Sequence, residues 1–135
     1  MGLLGISLIV GCGRKLPPIQ PGAFPPPGVV DLTHEVRGSD IFLFWSIPPV
    51  NPAKERAAAG FKVLRARQTA AEGECQTCPV PYRVIADIAA SGRPPGSRMK
   101  FRDALEPGFK YSYKLQPYTA DEVIGKDSAS VAVTY

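Results

Sequence analysis

Proline, more than any other residue, limits what this chain can build. Fifteen prolines fall within 135 residues, about twice the ordinary share of ~5%. Inside a helix a proline removes a backbone donor and its ring strikes the preceding turn, so a helical bundle is disfavoured. Six of the eleven residues from Pro17 to Pro27 are proline. Such a run favours extended polyproline II at ~3.1 Å per residue, so residues 13–27 would reach ~45 Å as a semi-rigid spacer. The remainder is rich enough in apolar residues to build a core, at 44% of the chain, and long enough for one domain. The net charge of +4 is spread along the chain without a run of five like charges. No nucleic-acid-binding arm is indicated; the balance favours mild attraction to anionic headgroups or polysaccharide.

Between the turn signals, short segments read as strands. Ile41-Phe42-Leu43-Phe44-Trp45 is β-branched and aromatic and stops at Pro48-Pro49, as strands do. Residues 61–65 and 82–88 form two further apolar runs. In residues 109–116, Tyr111, Tyr113 and Leu115 share one face while Lys110, Ser112, Lys114 and Gln116 share the other, the period of a half-buried strand. Residues 129–135 alternate likewise. Turn signals lie at residues 37–40, 94–96, 106–108 and 124–127. A helical turn or two is expected only around residues 53–59. Strands without regular helix alternation predict an all-β sandwich or barrel.

The order of these segments resembles a fibronectin type III domain. Pro27-Gly28-Val29-Val30-Asp31-Leu32 is similar to its first strand, and Leu43-Phe44-Trp45-Ser46-Ile47-Pro48 to its second, with a core tryptophan. Gly60-Phe61-Lys62-Val63 is similar to the third. Leu105-Glu106-Pro107-Gly108-Phe109-Lys110-Tyr111 resembles the family's leucine-x-proline-glycine-x-x-tyrosine segment leading into the sixth strand. Residues 125–133 resemble the last turn and strand. The resemblance implies a seven-stranded antiparallel immunoglobulin-like sandwich over residues 28–135. Trp45 and Leu105 would lie in its core, and Tyr111 would be the tyrosine-corner residue, its hydroxyl bonding backbone upstream. Residues 66–81 depart from the pattern and read as an inserted loop.

The N-terminus suggests an address. Residues 1–11 are uncharged and mostly apolar, and as a helix would rise only ~16 Å, about half a ~30 Å hydrocarbon core. That length fits the apolar region of a signal peptide. Ile9-Val10-Gly11-Cys12 resembles the bacterial lipobox, although no Lys or Arg precedes Arg14. The resemblance implies removal of residues 1–11 and lipidation of Cys12, with residues 12–27 as tether. One acyl chain, at ~0.8 kcal/mol per buried CH₂, holds a protein only reversibly, whereas two or more anchor it stably. Gly13 after the cysteine implies the outer membrane in a Gram-negative cell envelope.

Cys75 and Cys78 remain, in Glu-Cys-Gln-Thr-Cys-Pro. Residue 79 is Pro, so a C-x-x-C-H haem site is excluded. Structural zinc ordinarily takes four ligands, and His34 is the chain's single histidine. A thioredoxin-like pair needs a helix after its first cysteine, which Pro79 and Pro81 oppose. An exported compartment permits disulfides, and a local disulfide pinning the inserted loop is expected. No nucleophile elbow, phosphate loop, dinucleotide fingerprint or H-E-x-x-H occurs. His34 reads as a solvated loop residue. No catalytic residue, metal or cofactor is therefore assigned.

If Leu43 and Trp45 point inward, the pleat sends Phe42 and Phe44 outward. Two readings follow: Phe24 and the tether fold back over them, or they form a partner-binding patch. The function expected is a membrane-anchored, non-enzymatic binding or scaffold module meeting an envelope protein or polysaccharide. The alternatives are an envelope redox protein using Cys75 and Cys78, and a carbohydrate-binding module using Tyr82 and Tyr118.

Overall fold

Seven strands form two antiparallel sheets in a computed structural model that describes Gly2 and residues 23–135. Apart from Gly2, the signal peptide expected over residues 1–11, Cys12 and the tether as far as Gly22 lie outside the described residues. In chain order the elements are β1 (Thr33–Arg37), β2 (Asp40–Ser46), β3 (Gly60–Thr69), the short helix α1 (Ala70–Gly73), β4 (Arg83–Ala89), β5 (Arg98–Ala104), β6 (Phe109–Tyr118) and β7 (Val131–Thr134). One sheet runs β1-β2-β5 and the other β4-β3-β6-β7.

The core is made by strand alternation. In β2, Ile41, Leu43 and Trp45 are fully buried while Phe42 and Phe44 are half-buried on the opposite side. Across the sandwich, Phe61 and Val63 of β3 and Tyr111, Tyr113 and Leu115 of β6 point in. Trp45 meets Phe61 edge to face at 5.7 Å, a favoured aromatic geometry. Its Nε1 is the one buried side-chain polar atom among the described residues without a hydrogen-bond partner.

Between β5 and β6, Leu105 is buried and its N–H donates to the Ser39 carbonyl at 2.7 Å. The Glu106 N–H donates to the Tyr111 hydroxyl at 2.8 Å, which closes the corner. Gly108 turns the chain between them at φ 93°, a conformation in which a side chain would be strained. At the β3 start, a Cβ on Gly60 would meet the Tyr118 hydroxyl and stand 2.9 Å from the Ile88 carbonyl oxygen. Glycine there lets the Tyr118 ring lie on the backbone.

Several local expectations need correction. The first paired strand is residues 33–37, not 27–32, because the Asp31 carboxylate takes the Ser46 N–H at 2.9 Å in place of a ladder bond. His34 therefore sits on an exposed edge strand and not in a loop. Residues 53–59 make one turn only: Glu55 N–H donates to Asn51 O, but Arg56 N–H turns instead to Pro25 O at 3.1 Å. β3 continues through Thr69, whose hydroxyl caps α1, so the insertion begins at Ala70 and not at residue 66. β5 was not foreseen at all. Tether residues from Phe24 dock on the sandwich, with Pro26 and Pro27 buried. Among the described residues no helix is long and apolar enough to cross a membrane.

Replacing Tyr111 with Phe strands the Glu106 N–H at the corner. Thermal or chemical unfolding should show a loss of about 1–2 kcal/mol, and an unchanged midpoint would contradict a structural role for that hydroxyl.

Candidate functional site

The outer face of the three-stranded sheet is assembled by register. Phe42 stands opposite Glu35 of β1 and Arg102 of β5, Phe44 opposite Thr33 and Lys100, and Ser46 opposite Arg98. Directly opposed residues share a face, so two aromatic rings are framed by Arg37 on one side and by Arg98, Lys100 and Arg102 on the other. No cation–π or hydrogen-bond contact ties the described tether residues, 23–27, to these rings. Phe24 lies instead under the Arg56 guanidinium at 4.7 Å. What covers Phe42 is charge: Lys100 Nζ is 4.8 Å and Arg37 Cζ 5.3 Å from its ring centroid, within cation–π range.

The three arginines of the face are tied to acids at the rim. Arg37 grips Glu35 with two nitrogens, at 3.0 and 2.9 Å. That hydrogen bonding holds the Glu35 carboxyl below its ordinary range despite slight desolvation. Arg102 meets Asp40 at 3.2 Å and Arg98 meets Asp31 at 3.4 Å. Burial pushes the Asp31 carboxyl up, but the Ser46 hydrogen bonds and the Arg98 charge outweigh it and the value falls. The pairs are exposed, so each adds little stability. Their effect is positional, since they fix three of the four cations, Arg37, Arg98 and Arg102, at the margin of two half-buried rings.

The other candidates are placed as follows. Trp45, Leu105 and Tyr111 lie in the core and corner. Cys75 and Cys78 form a disulfide, with Cα atoms 5.5 Å apart, in the turn after α1. The helix precedes Cys75 rather than starting at it, so no helix N-terminus stabilises a thiolate there. Closing so short a loop contributes on the order of 2 kcal/mol at best. Tyr82 and Tyr118 each carry a lysine, Lys114 at 4.2 Å and Lys62 at 5.7 Å, so a sugar stacking on that side would displace an ammonium. Among the described residues no group of three or more metal-ligating side chains occurs.

Sequence reasoning missed the cations that make the face. Their signal was Arg98-Met99-Lys100-Phe101-Arg102, where Met99 is buried and Phe101 packs against the core while the three basic residues face out. With only two apolar positions after Pro94-Pro95-Gly96, that alternation was too short to read as a strand.

No protein-family model matches this sequence, and no curated protein is similar to it at a significant level. Among solved structures, the third fibronectin III domain of human KIAA0343 protein is similar over 90% of this chain and 91% of that one, with a TM-score of 0.59 and 12% identity. At that identity the likeness establishes the fold: a fibronectin type III-like sandwich.

Tyr118 offers a check on the opposite sheet. Its hydroxyl donates to the Asp87 carboxylate, and that bond, with desolvation and the carboxylate charge, pushes its pKa up to about 12. A raised tyrosine pKa means the folded state holds the proton more firmly. The resulting stability is present below ~10, the unfolded value, and is lost as pH rises through about 12. Ultraviolet titration should return Tyr118 toward ~10 in Asp87→Asn; an unmoved transition would refute the pairing.

Proposed function

We propose that this chain is a lipid-anchored envelope protein that presents a non-catalytic binding face on a fibronectin type III-like module. The observation that carries the proposal is the Phe42–Phe44 pair. Two large aromatics held half-buried on the outer face by the pleat, Phe42 with Arg37 and Lys100 over its ring, cost the isolated domain hydration. An interface core of aromatic and arginine side chains recovers that cost. The partner fitting this face is an envelope protein segment with an apolar centre and acidic edges. The lipobox-like sequence ending at Cys12 supports the anchor, and residues 13–22, with three prolines among them, would supply the spacer that carries the face away from a membrane surface. The sheet's rim charges set association rate and orientation, and the rings set residence time.

Two variants separate the anchor from the face. Cys12→Ser should move the mature protein from the detergent phase to the aqueous phase of a detergent partition. Phe42→Ser with Phe44→Ser should leave it anchored, and folded by thermal unfolding, while crosslinked partner in intact cells falls at least tenfold. Undiminished capture by that double variant would overturn the binding face; a Cys12→Ser protein that partitions as the parent does would overturn the anchor.

A further inference from the structure

A second surface lies on the core-side face of the four-stranded sheet. In β3, Arg65 and Arg67 stand opposite the inward-pointing Tyr113 and Tyr111 of β6, and Arg83 of β4 stands directly opposite Arg65. The three guanidiniums therefore share one face. That sheet has four strands against three in its partner, and these residues line an open recess of about 260 Å³ with Pro81 and Ile85. No acid lines it. Arg65 commits Nη1 to Asp103 at 2.9 Å and Arg67 commits Nη1 to Glu106 at 3.3 Å, both outside the recess. Among the described residues Arg83 takes part in no ion pair or side-chain hydrogen bond.

Like charges directly opposed across a strand pair destabilise it. Here Arg65 and Arg83 are so opposed, two residues from the β3–β4 register shift after Val63, with the Asp103 carboxylate offsetting part of the repulsion at Arg65. An anion seated between them would turn that repulsion into attraction. Guanidinium forks match tetrahedral oxyanions, giving paired N–H···O contacts that a point charge does not. The inserted segment supplies the wall, through Pro81.

We infer that Arg65, Arg67 and Arg83 form a binding site for a phosphate-type oxyanion at the β3–β4 edge. It stands apart from the Phe42 face and is independent of it. A ligand in this recess would link strand β4 to β3, so its binding should stiffen the edge that the insertion interrupts.

The full chain titrated with inorganic phosphate at constant ionic strength, chloride serving as the control salt, provides the test. Saturable chemical-shift changes should be confined to the amides of Arg65, Arg67, Arg83 and Ile85, and phosphate should raise the thermal midpoint. Arg83→Gln should weaken the apparent affinity at least tenfold, yet without phosphate its midpoint should be no lower than the parent's, because Arg83 has no ion pair or side-chain hydrogen bond to lose. Arg83→Lys should fall between the two, keeping the charge but losing the fork. Glycerol 3-phosphate and phosphatidylglycerol vesicles, run as competitors, separate a free phosphate ester from a lipid headgroup, and either one displacing phosphate supports the site. Changes that do not saturate, that chloride reproduces, or that persist in Arg83→Gln would overturn it.

Discussion

The parity of β2 governs the molecule. Ile41, Leu43 and Trp45 are fully buried, so a one-residue slip would carry all three into water and bring Phe42 and Phe44 into a core not shaped for them. That penalty locks the pairing of β2 with β1 and β5. The same pairing then determines what stands on the outer face. Phe42 acquires Arg37 and Lys100 as neighbours only because register places β1 and β5 where it does. The aromatic and cationic outer face is thus a by-product of how the core is secured.

The two sheets are joined at one margin by polar groups rather than apolar ones. Asp103 of β5 accepts from Arg65 Nη1 at 2.9 Å and from the Tyr113 hydroxyl at 2.7 Å. Desolvation, reinforced by that carboxylate, raises the Tyr113 pKa far above the ordinary tyrosine value. Satisfied partners make a half-buried carboxylate tolerable, and the bridge ties β5 to β3 and β6 close to the corner that Tyr111 closes. The long inserted segment begins just beyond, at Ala70, where a packed core would no longer hold it. Its disulfide gives local order to a stretch otherwise dependent on a four-residue helix.

Long alternating runs were legible in the sequence. Tyr111, Tyr113 and Leu115 against Lys110, Ser112 and Lys114 predicted β6 and its buried side, and the Leu105–Tyr111 motif predicted the corner. Isolated side-chain substitutions for backbone bonds were not legible. Asp31 reaching Ser46 delays the first paired strand to Thr33, and no local pattern announces it. Nor does sequence alone show that Arg56 N–H will choose Pro25 O over helix continuation. Phe42 and Phe44 were predicted to face outward, but of the two readings offered for them neither included the cations over Phe42, because those neighbours come from strands 5 and 58 residues away in the chain, at Arg37 and Lys100. The arginine recess was invisible for the same reason: Arg65 and Arg83 meet only through β3–β4 register.

A face built by β2 parity makes a directional claim about where a neighbour touches this domain. A photo-crosslinking amino acid placed singly at positions 42, 44 and 84 in cells tests it most directly, since Val84 is exposed on the other sheet. Covalent capture of one partner from 42 and 44, and none from 84, is the result predicted. Capture from 84 with silence at 42 and 44 would contradict the outer face of the three-stranded sheet as the site of contact.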